Sequence, residues 1–255
     1  MMANKNVIII SNSSPKIGYF ARTTTQGPEY EMVKKYVKHL ISKYSKLKSK
    51  KAAIFIEPQL DSGYPDLVII EYRNLPDTEW ISVRDTLNTT DFKILFFIQT
   101  HSHLIFDEII ETLGFSHETT LKSLQKLKSS GLIRYNEKSK KINHIKLSLI
   151  SRINKIIAIE AKIDKWSEAI RQANNNIWFS TESYVLMNKE TCSKSIMESC
   201  ESTGTGVILI NGEIKKVLSS DVRAFPVSYA SLQFNEWLLK FLRNGEKNDD
   251  FRTKD

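Results

Sequence analysis

The run Ile156–Gln172 holds three side chains whose types and spacing suit metal and acid–base chemistry: Glu160, Lys162 and Gln172. An apolar stretch leads directly into Glu160-Ala161-Lys162. Residues i and i+2 of a strand point the same way, so Glu160 and Lys162 are expected to project together. Upstream, Ser62-Gly-Tyr-Pro65-Asp66 leads into a second apolar stretch, Leu67–Ile70, and sets another carboxylate at a strand end. Two such carboxylates can hold a hard divalent cation such as Mg²⁺, which prefers oxygen ligands and keeps waters. The cation lowers the pKa of a bound water and neutralises charge building on a phosphate. A lysine alongside can position that water, and a third carboxylate from a helix could bind a second ion. The chemistry this set suits is phosphodiester hydrolysis.

Context gives the set its weight, because the acid-x-Lys tripeptide occurs three times, at Asp91–Lys93, Glu160–Lys162 and Glu213–Lys215. Pro-Asp occurs twice, at 65–66 and 76–77. Asp91 opens a predicted helix, Glu213 sits in a Gly-containing turn, and Pro76-Asp77 falls in a polar connection. Only Pro65-Asp66 and Glu160-Ala161-Lys162 sit at the ends of apolar strands.

The elements that must position them follow from periodicity. Residues 1–28 read as a polar arm with one short strand, Val7–Ile10. A helix begins at Pro28 with Glu29 and Glu31 in its first turn, where acids complement the helix dipole, and runs to about Tyr44. Eight lysines between Lys34 and Lys51 precede the next acid, Glu57, which makes a solvated face or a phosphate-facing one. Ala52–Glu57 and Asp66–Tyr72 pair as a hairpin. Beyond residue 150, Glu160 ends an apolar strand and a helix spans about Trp166 to Phe179. A strand at Ser183–Asn188, a short helix at Ser193–Cys200, strands at Gly206–Ile210 and Glu213–Leu218, and a final helix at Ser228–Arg243 complete the chain.

Between the two halves the character changes. Helices are expected at Asp91–Thr100, Leu104–Leu113 and Ser116–Ser130, the last capped by Ser116 and stopped by Gly131. Leu121, Leu124 and Leu127 mark its inner side. A basic hairpin follows, with alternation from Ile142 to Leu149. This block, roughly Asp85 to Leu149, resembles a winged helix-turn-helix domain. Ser116–Lys146 carries eight basic residues against two acids, which accounts for six of the chain's net eight positive charges. Thr119, Lys122, Ser123 and Lys126 lie off the leucine stripe, where a recognition helix would face the major groove. Arg134, Lys138, Lys140 and Lys141 are expected to meet DNA from the wing. His101 and His103 read as turn residues.

The outer halves resemble the PD-(D/E)XK nuclease superfamily. The matching pieces are a helix acid (Glu29, with Glu31 in reserve), Pro65-Asp66, Glu160-Ala161-Lys162, and Gln172 on the next helix. The resemblance implies a restriction-endonuclease-like mixed α/β sheet flanked by helices, with the winged helix inserted: core 1–83, insertion 84–150, core 151–255. It further implies that Asp66, Glu160 and the Ala161 carbonyl bind Mg²⁺, with Mn²⁺ able to substitute and Glu29 contributing. Lys162 would handle the water, and Gln172 would orient groups or contact DNA. About ninety residues separate the two motifs, more than in most members, and an insertion between neighbouring strands accommodates them.

The bulk properties fit this reading. The 255 residues, 41% of them hydrophobic and 10% aromatic, can build a packed core of one or two domains. A charge of +8 with a pI near 9.3 points to a polyanionic partner, with nucleic acid ahead of a membrane, and the winged-helix resemblance implies duplex DNA. Two cysteines without metal-ligand spacing exclude a disulfide framework and argue against a structural zinc site. No stretch is long enough for a membrane span, so a cytoplasmic protein is expected. A homodimer would supply the two sites needed to cut both strands. The rival expectation is a non-catalytic DNA-binding regulator that keeps the nuclease scaffold for partner docking.

Overall fold

The computed structural model describes residues 6–22, 26–47, 49–74, 81–101 and 104–244. Pro76-Asp77, Trp80 and His103 lie outside the described residues. In chain order the strands are β1 (Val7–Ile10), β2 (Lys51–Ile56), β3 (Leu67–Tyr72), β4 (Leu104–Ile105), β5 (Ile133–Asn136), β6 (Lys141–His144), β7 (Ile153–Lys162), β8 (Glu182–Met187), β9 (Gly206–Asn211) and β10 (Glu213–Leu218). The α-helices are α1 (Pro28–Lys46), α2 (Thr89–Thr100), α3 (Phe106–Leu113), α4 (His117–Ser129), α5 (Leu147–Ile150), α6 (Trp166–Asn175), α7 (Lys194–Thr203) and α8 (Tyr229–Asn244). Among the described residues two compact units emerge: 6–73 with 153–227, and 74–152 with 228–244.

The first unit is a mixed seven-stranded sheet in the order β1-β2-β3-β7-β8-β9-β10. Its inner strands read as continuous apolar runs because helices cover both faces, leaving no face for polar alternation. On one face α1 buries Val33, Val37 and Leu40 against Ile54, Ile69, Ile159 and Leu186. On the other, α6 and α7 pack Ala169, Ala173, Ile196 and Cys200 against Val185, Val207 and Leu209. Ile54 is fully buried, so Ile54→Ala would cost about 2–5 kcal/mol. The α/β class is as expected, but the amino-terminal stretch differs from an arm: Val7–Ile10 is the edge strand, parallel to β2 and buried along its length. Four consecutive apolar residues without alternation are what such two-sided burial requires.

Register fixes where the acids meet. Antiparallel β3 and β7 pair Leu67 with Ile159, so Asp66, one residue before, falls opposite Glu160, one residue after. The β2–β3 hairpin pairs Ile56 with Leu67, which brings Glu57 beside Asp66. All three carboxylates therefore gather at one end of adjacent central strands. Pro65 stands just outside the ladder, where its missing N–H costs no bond.

The second unit holds α2, α3 and α4 with a three-stranded sheet in the order β4-β6-β5. The expected helix Leu104–Leu113 begins two residues late, because Leu104 and Ile105 form β4 against β6 before Phe106 turns the chain helical. The alternation expected through Leu149 ends at His144, and Leu147–Ile150 is a helical turn that buries Ile150 and leaves Leu149 exposed. Helix α8 belongs to this unit instead of the 151–255 core segment. Its Glu236 takes both arms of Arg84 at the start of the insertion, and Asn235 accepts from the Ser151 hydroxyl and the Arg152 N–H at the insertion's end. Among the described residues no helix is long and apolar enough to cross a membrane.

Candidate active site and nucleic-acid interface

At the strand ends of the first unit, a cavity of about 660 Å³ is lined by Glu29, Glu57, Asp66, Lys162, Gln172 and their neighbours. Glu160 lies just beneath, 4% exposed. The local reasons are simple. Pro28 starts α1 so that Glu29 sits in its first turn, and Lys162 is the last residue of β7, free to reach across. Its Nζ donates to Glu29 Oε2 at 3.0 Å. Glu31 faces away and pairs with Lys34 at 3.2 Å. Asp66 Oδ2 accepts the Ala161 N–H at 2.7 Å, which ties the two motifs together across the sheet.

The electrostatics are those of crowded acids. Burial, with Asp66 opposite, holds Glu160 well above the usual carboxylate range despite the Asn176 amide and Lys162. Burial also raises Asp66; the Ala161 N–H and Lys162 oppose that and Glu29 adds to it. Glu57 is raised by burial and by Asp66, against Arg22. For Lys162 burial works against the ammonium, but Glu29, Asp66 and Glu160 outweigh it and lift the pKa above the ordinary lysine value.

Several participants lie outside the motif set. Glu57, a strand-end acid easily taken for a surface charge, lines the cavity at a left-handed φ of 47°, and its buried Oε2 has no hydrogen-bond partner. A non-glycine residue held there costs about 1–3 kcal/mol and persists only when its surroundings impose it. Asp164 and Glu168, which read as helix-start charges, also line the cavity, as does Arg22. Asn176 donates to Glu160 Oε1 at 2.6 Å. Its signal was its position four residues after Gln172, one turn on along the same helix face. The helix expected through Phe179 ends at Asn175 and tightens into a 3₁₀ turn, Asn176–Trp178, which buries Asn176. Gln172 Oε1 is buried without a partner. The other two acid-x-Lys copies are elsewhere: Glu213 and Lys215 form an exposed pair, and Asp91 is buried in the second unit.

Whether a divalent cation fits can be judged from the donors. Five carboxylates line the cavity (Glu29, Glu57, Asp66, Asp164 and Glu168) against Lys162 and Arg22, and Glu160 adds a buried carboxyl group. Raised pKa values and an orphaned carboxylate oxygen mark negative charge that a cation would relieve. The donor set is all oxygen, as Mg²⁺ prefers. Among the described residues, however, no three His, Cys, Asp or Glu side chains are drawn together as a ready ligand group.

In the second unit, α4 presents Glu118, Thr119, Lys122 and Gln125 to solvent, while Leu124 and Leu127 are buried. Ser123 and Lys126 depart from the expected DNA-facing row. Asp91 is fully buried at the third position of α2, where it completes a capping box with Asn88. Its Oδ1 accepts from Ser123 at 2.6 Å, and its Oδ2 accepts from Lys126 at 3.1 Å. Ser123 is therefore a buried partner, and the Lys126 charge is spent on Asp91. A buried carboxylate needs such partners, and α4 supplies them. Arg134, Lys138, Lys140 and Lys141 are exposed on the wing, with Lys140 Nζ 5.7 Å from the Phe106 ring centroid.

Residues 87–134 match the model of a family described as winged helix-turn-helix DNA-binding. The chain thus carries a winged helix-turn-helix DNA-binding domain, and in the same unit Lys122 of α4 and Arg134, Lys138, Lys140 and Lys141 of the wing are exposed. No curated protein matches the chain.

Proposed function

We propose that the chain is a metal-dependent endodeoxyribonuclease whose winged helix holds duplex DNA. One observation carries the reading: strand register sets Asp66 opposite Glu160, with Lys162 and Glu29 joined at the mouth of the same acid-lined cavity. Asp66, Glu160 and the Ala161 carbonyl would hold Mg²⁺ or Mn²⁺, with Glu29 and Glu57 as the further oxygen donors. When bound, the ion supplies a water of lowered pKa and charge neutralisation at the phosphate. Lys162 orients that water and stabilises negative charge building on the phosphate. Gln172, with its unpartnered buried oxygen, orients groups at the cavity wall. Lys122 and the wing cations contribute phosphate contacts, which position the duplex without reading sequence. A homodimer would bring two sites to the two strands.

The test is plasmid cleavage by purified protein with Mg²⁺ or Mn²⁺. Asp66→Ala and Lys162→Ala should abolish cleavage while duplex binding persists in a chelator. If both variants cleave like wild type, the assigned site is wrong. A second reading, a DNA-binding regulator on a nuclease scaffold, is favoured by the winged helix-turn-helix match over residues 87–134. It predicts gel shifts that survive chelation and no cleavage of any DNA or RNA form.

A further inference from the structure

The first unit has a second cavity, this one lined by cations and built from groups that the nuclease proposal does not use. A groove of about 580 Å³ runs between the carboxyl-terminal half of α1 and strands β9 and β10. Its floor is apolar, made by Leu47, Ile208 and Ile214, and Lys43, Lys46 and Lys216 rim it. It adjoins a smaller cavity of about 190 Å³, with which it shares Tyr36, Lys43, Ile208 and Lys216.

The carboxylates nearby are already committed. Glu182 pairs with Lys155 and also accepts from the Tyr184 hydroxyl at 2.8 Å. Glu71 is taken by the Tyr44 hydroxyl at 2.7 Å and by Lys50 at 3.4 Å. Lys216 Nζ donates to the Tyr184 hydroxyl at 2.8 Å and lies over the same ring, with no ion pair among the described residues. Lys43 and Lys46 have no ion pair among the described residues. Three ammonium groups thus line one groove with an apolar floor, none of them in an ion pair among the described residues. Burial depresses the Lys216 pKa, Glu182 and Glu71 oppose this, and Lys43 and Lys155 add to the depression, as expected of an ammonium that is partly desolvated beside other cations. At the groove wall, the Tyr36 and His39 rings stack at 16° with centroids 6.2 Å apart.

We propose that this groove binds a nucleoside di- or triphosphate, its phosphates held by Lys43, Lys46 and Lys216 and its base laid on the Leu47–Ile208–Ile214 floor beside Tyr36 and His39. Charge sets the ligand class: three ammoniums without an ion pair among the described residues match a polyphosphate. Shape sets the body: the volume lies in the range of small-molecule sites, and the apolar floor has no use for a bare anion. Lysine acts here as a point-charge phosphate binder, and aromatic faces accept any base.

Calorimetry on the full chain in divalent-free buffer tests the proposal, with ATP, GTP, CTP and UTP as probes and adenosine and tripolyphosphate as the separated halves. At least one nucleotide should bind about tenfold or more tightly than either half. Lys43→Ala and Lys46→Ala should each weaken it about tenfold, the worth of a charged hydrogen bond. The double variant, altered only at exposed positions, should keep the wild-type melting profile and duplex gel shift. Asp66→Ala should bind the nucleotide normally, which separates this site from the proposed nuclease centre. Four results overturn the inference: no nucleotide binding at millimolar concentration, binding unchanged in the double variant, tripolyphosphate binding as well as the nucleotide, or a single-stranded oligonucleotide displacing every nucleotide in a manner abolished by the double variant.

Discussion

Replacing Glu160 by glutamine isolates the electrostatics of the buried acid pair. Glu160 is 4% exposed, faces Asp66 across the β3–β7 ladder, and accepts a 2.6 Å bond from Asn176. Glutamine keeps the shape and the oxygen that accepts from Asn176, and its amide can donate to Asp66. Two unit charges about 4 Å apart at an effective dielectric near 20 repel by roughly 4 kcal/mol. Proton uptake by the pair dissipates part of this, which leaves an expected stabilisation of about 1–3 kcal/mol for Glu160→Gln without metal. For a protein of this size that is a rise in Tm of about 3–10 °C. The pH dependence has a definite sign. A carboxylate whose folded pKa is raised contributes its full stability below the unfolded pKa and loses it as pH climbs through the folded one. Burial raises both Asp66 and Glu160, so the wild type should weaken from mildly acidic to alkaline pH, and Glu160→Gln less so. Thermal melts of both proteins in EDTA across that range read the effect directly. A variant less stable than wild type at pH 8, or a gap that narrows as pH rises, refutes the repulsion argument.

Other outcomes follow from single contacts. Lys122→Ala should leave stability unchanged and lower the salt slope of duplex binding by about 0.9, since among the described residues Lys122 pairs only with exposed Glu118. Ser123→Ala should do the reverse, costing about 1–3 kcal/mol in urea denaturation by stripping buried Asp91 of a donor, with little change in the salt slope. Gly206→Ala should destabilise by about 1–3 kcal/mol or more, because a Cβ would run into the Tyr184 ring and come within 2.7 Å of the Ser220 backbone nitrogen; an unchanged Tm would contradict this. Burial pushes the Cys200 thiol up to about 12, so at pH 8 an alkylating reagent should modify half-buried Cys192 and spare Cys200, as peptide mass mapping would show.

Much of the candidate site is legible in the chain because it is local. Pro28 followed by Glu29 writes a helix start, Pro65-Asp66 and Glu160-Ala161-Lys162 write strand ends, and alternation at residues i and i+2 joins Glu160 to Lys162. The leucine spacing of α4 and the glycine after it likewise announce the second unit. Three things were decided only in three dimensions. Glu57 reads as an ordinary strand-end acid until the Ile56–Leu67 register sets it beside Asp66 and leaves its Oε2 without a partner. Ser123 and Lys126 sit off the leucine stripe, yet they turn toward Asp91, because a buried carboxylate on α2 draws its partners from whichever helix passes. Helix α8 follows the core strands in sequence but joins the second unit, since Asn235 and Glu236 satisfy polar groups at the insertion's two ends. Local pattern determines which residues begin and end an element; only packing determines which buried charge each must answer.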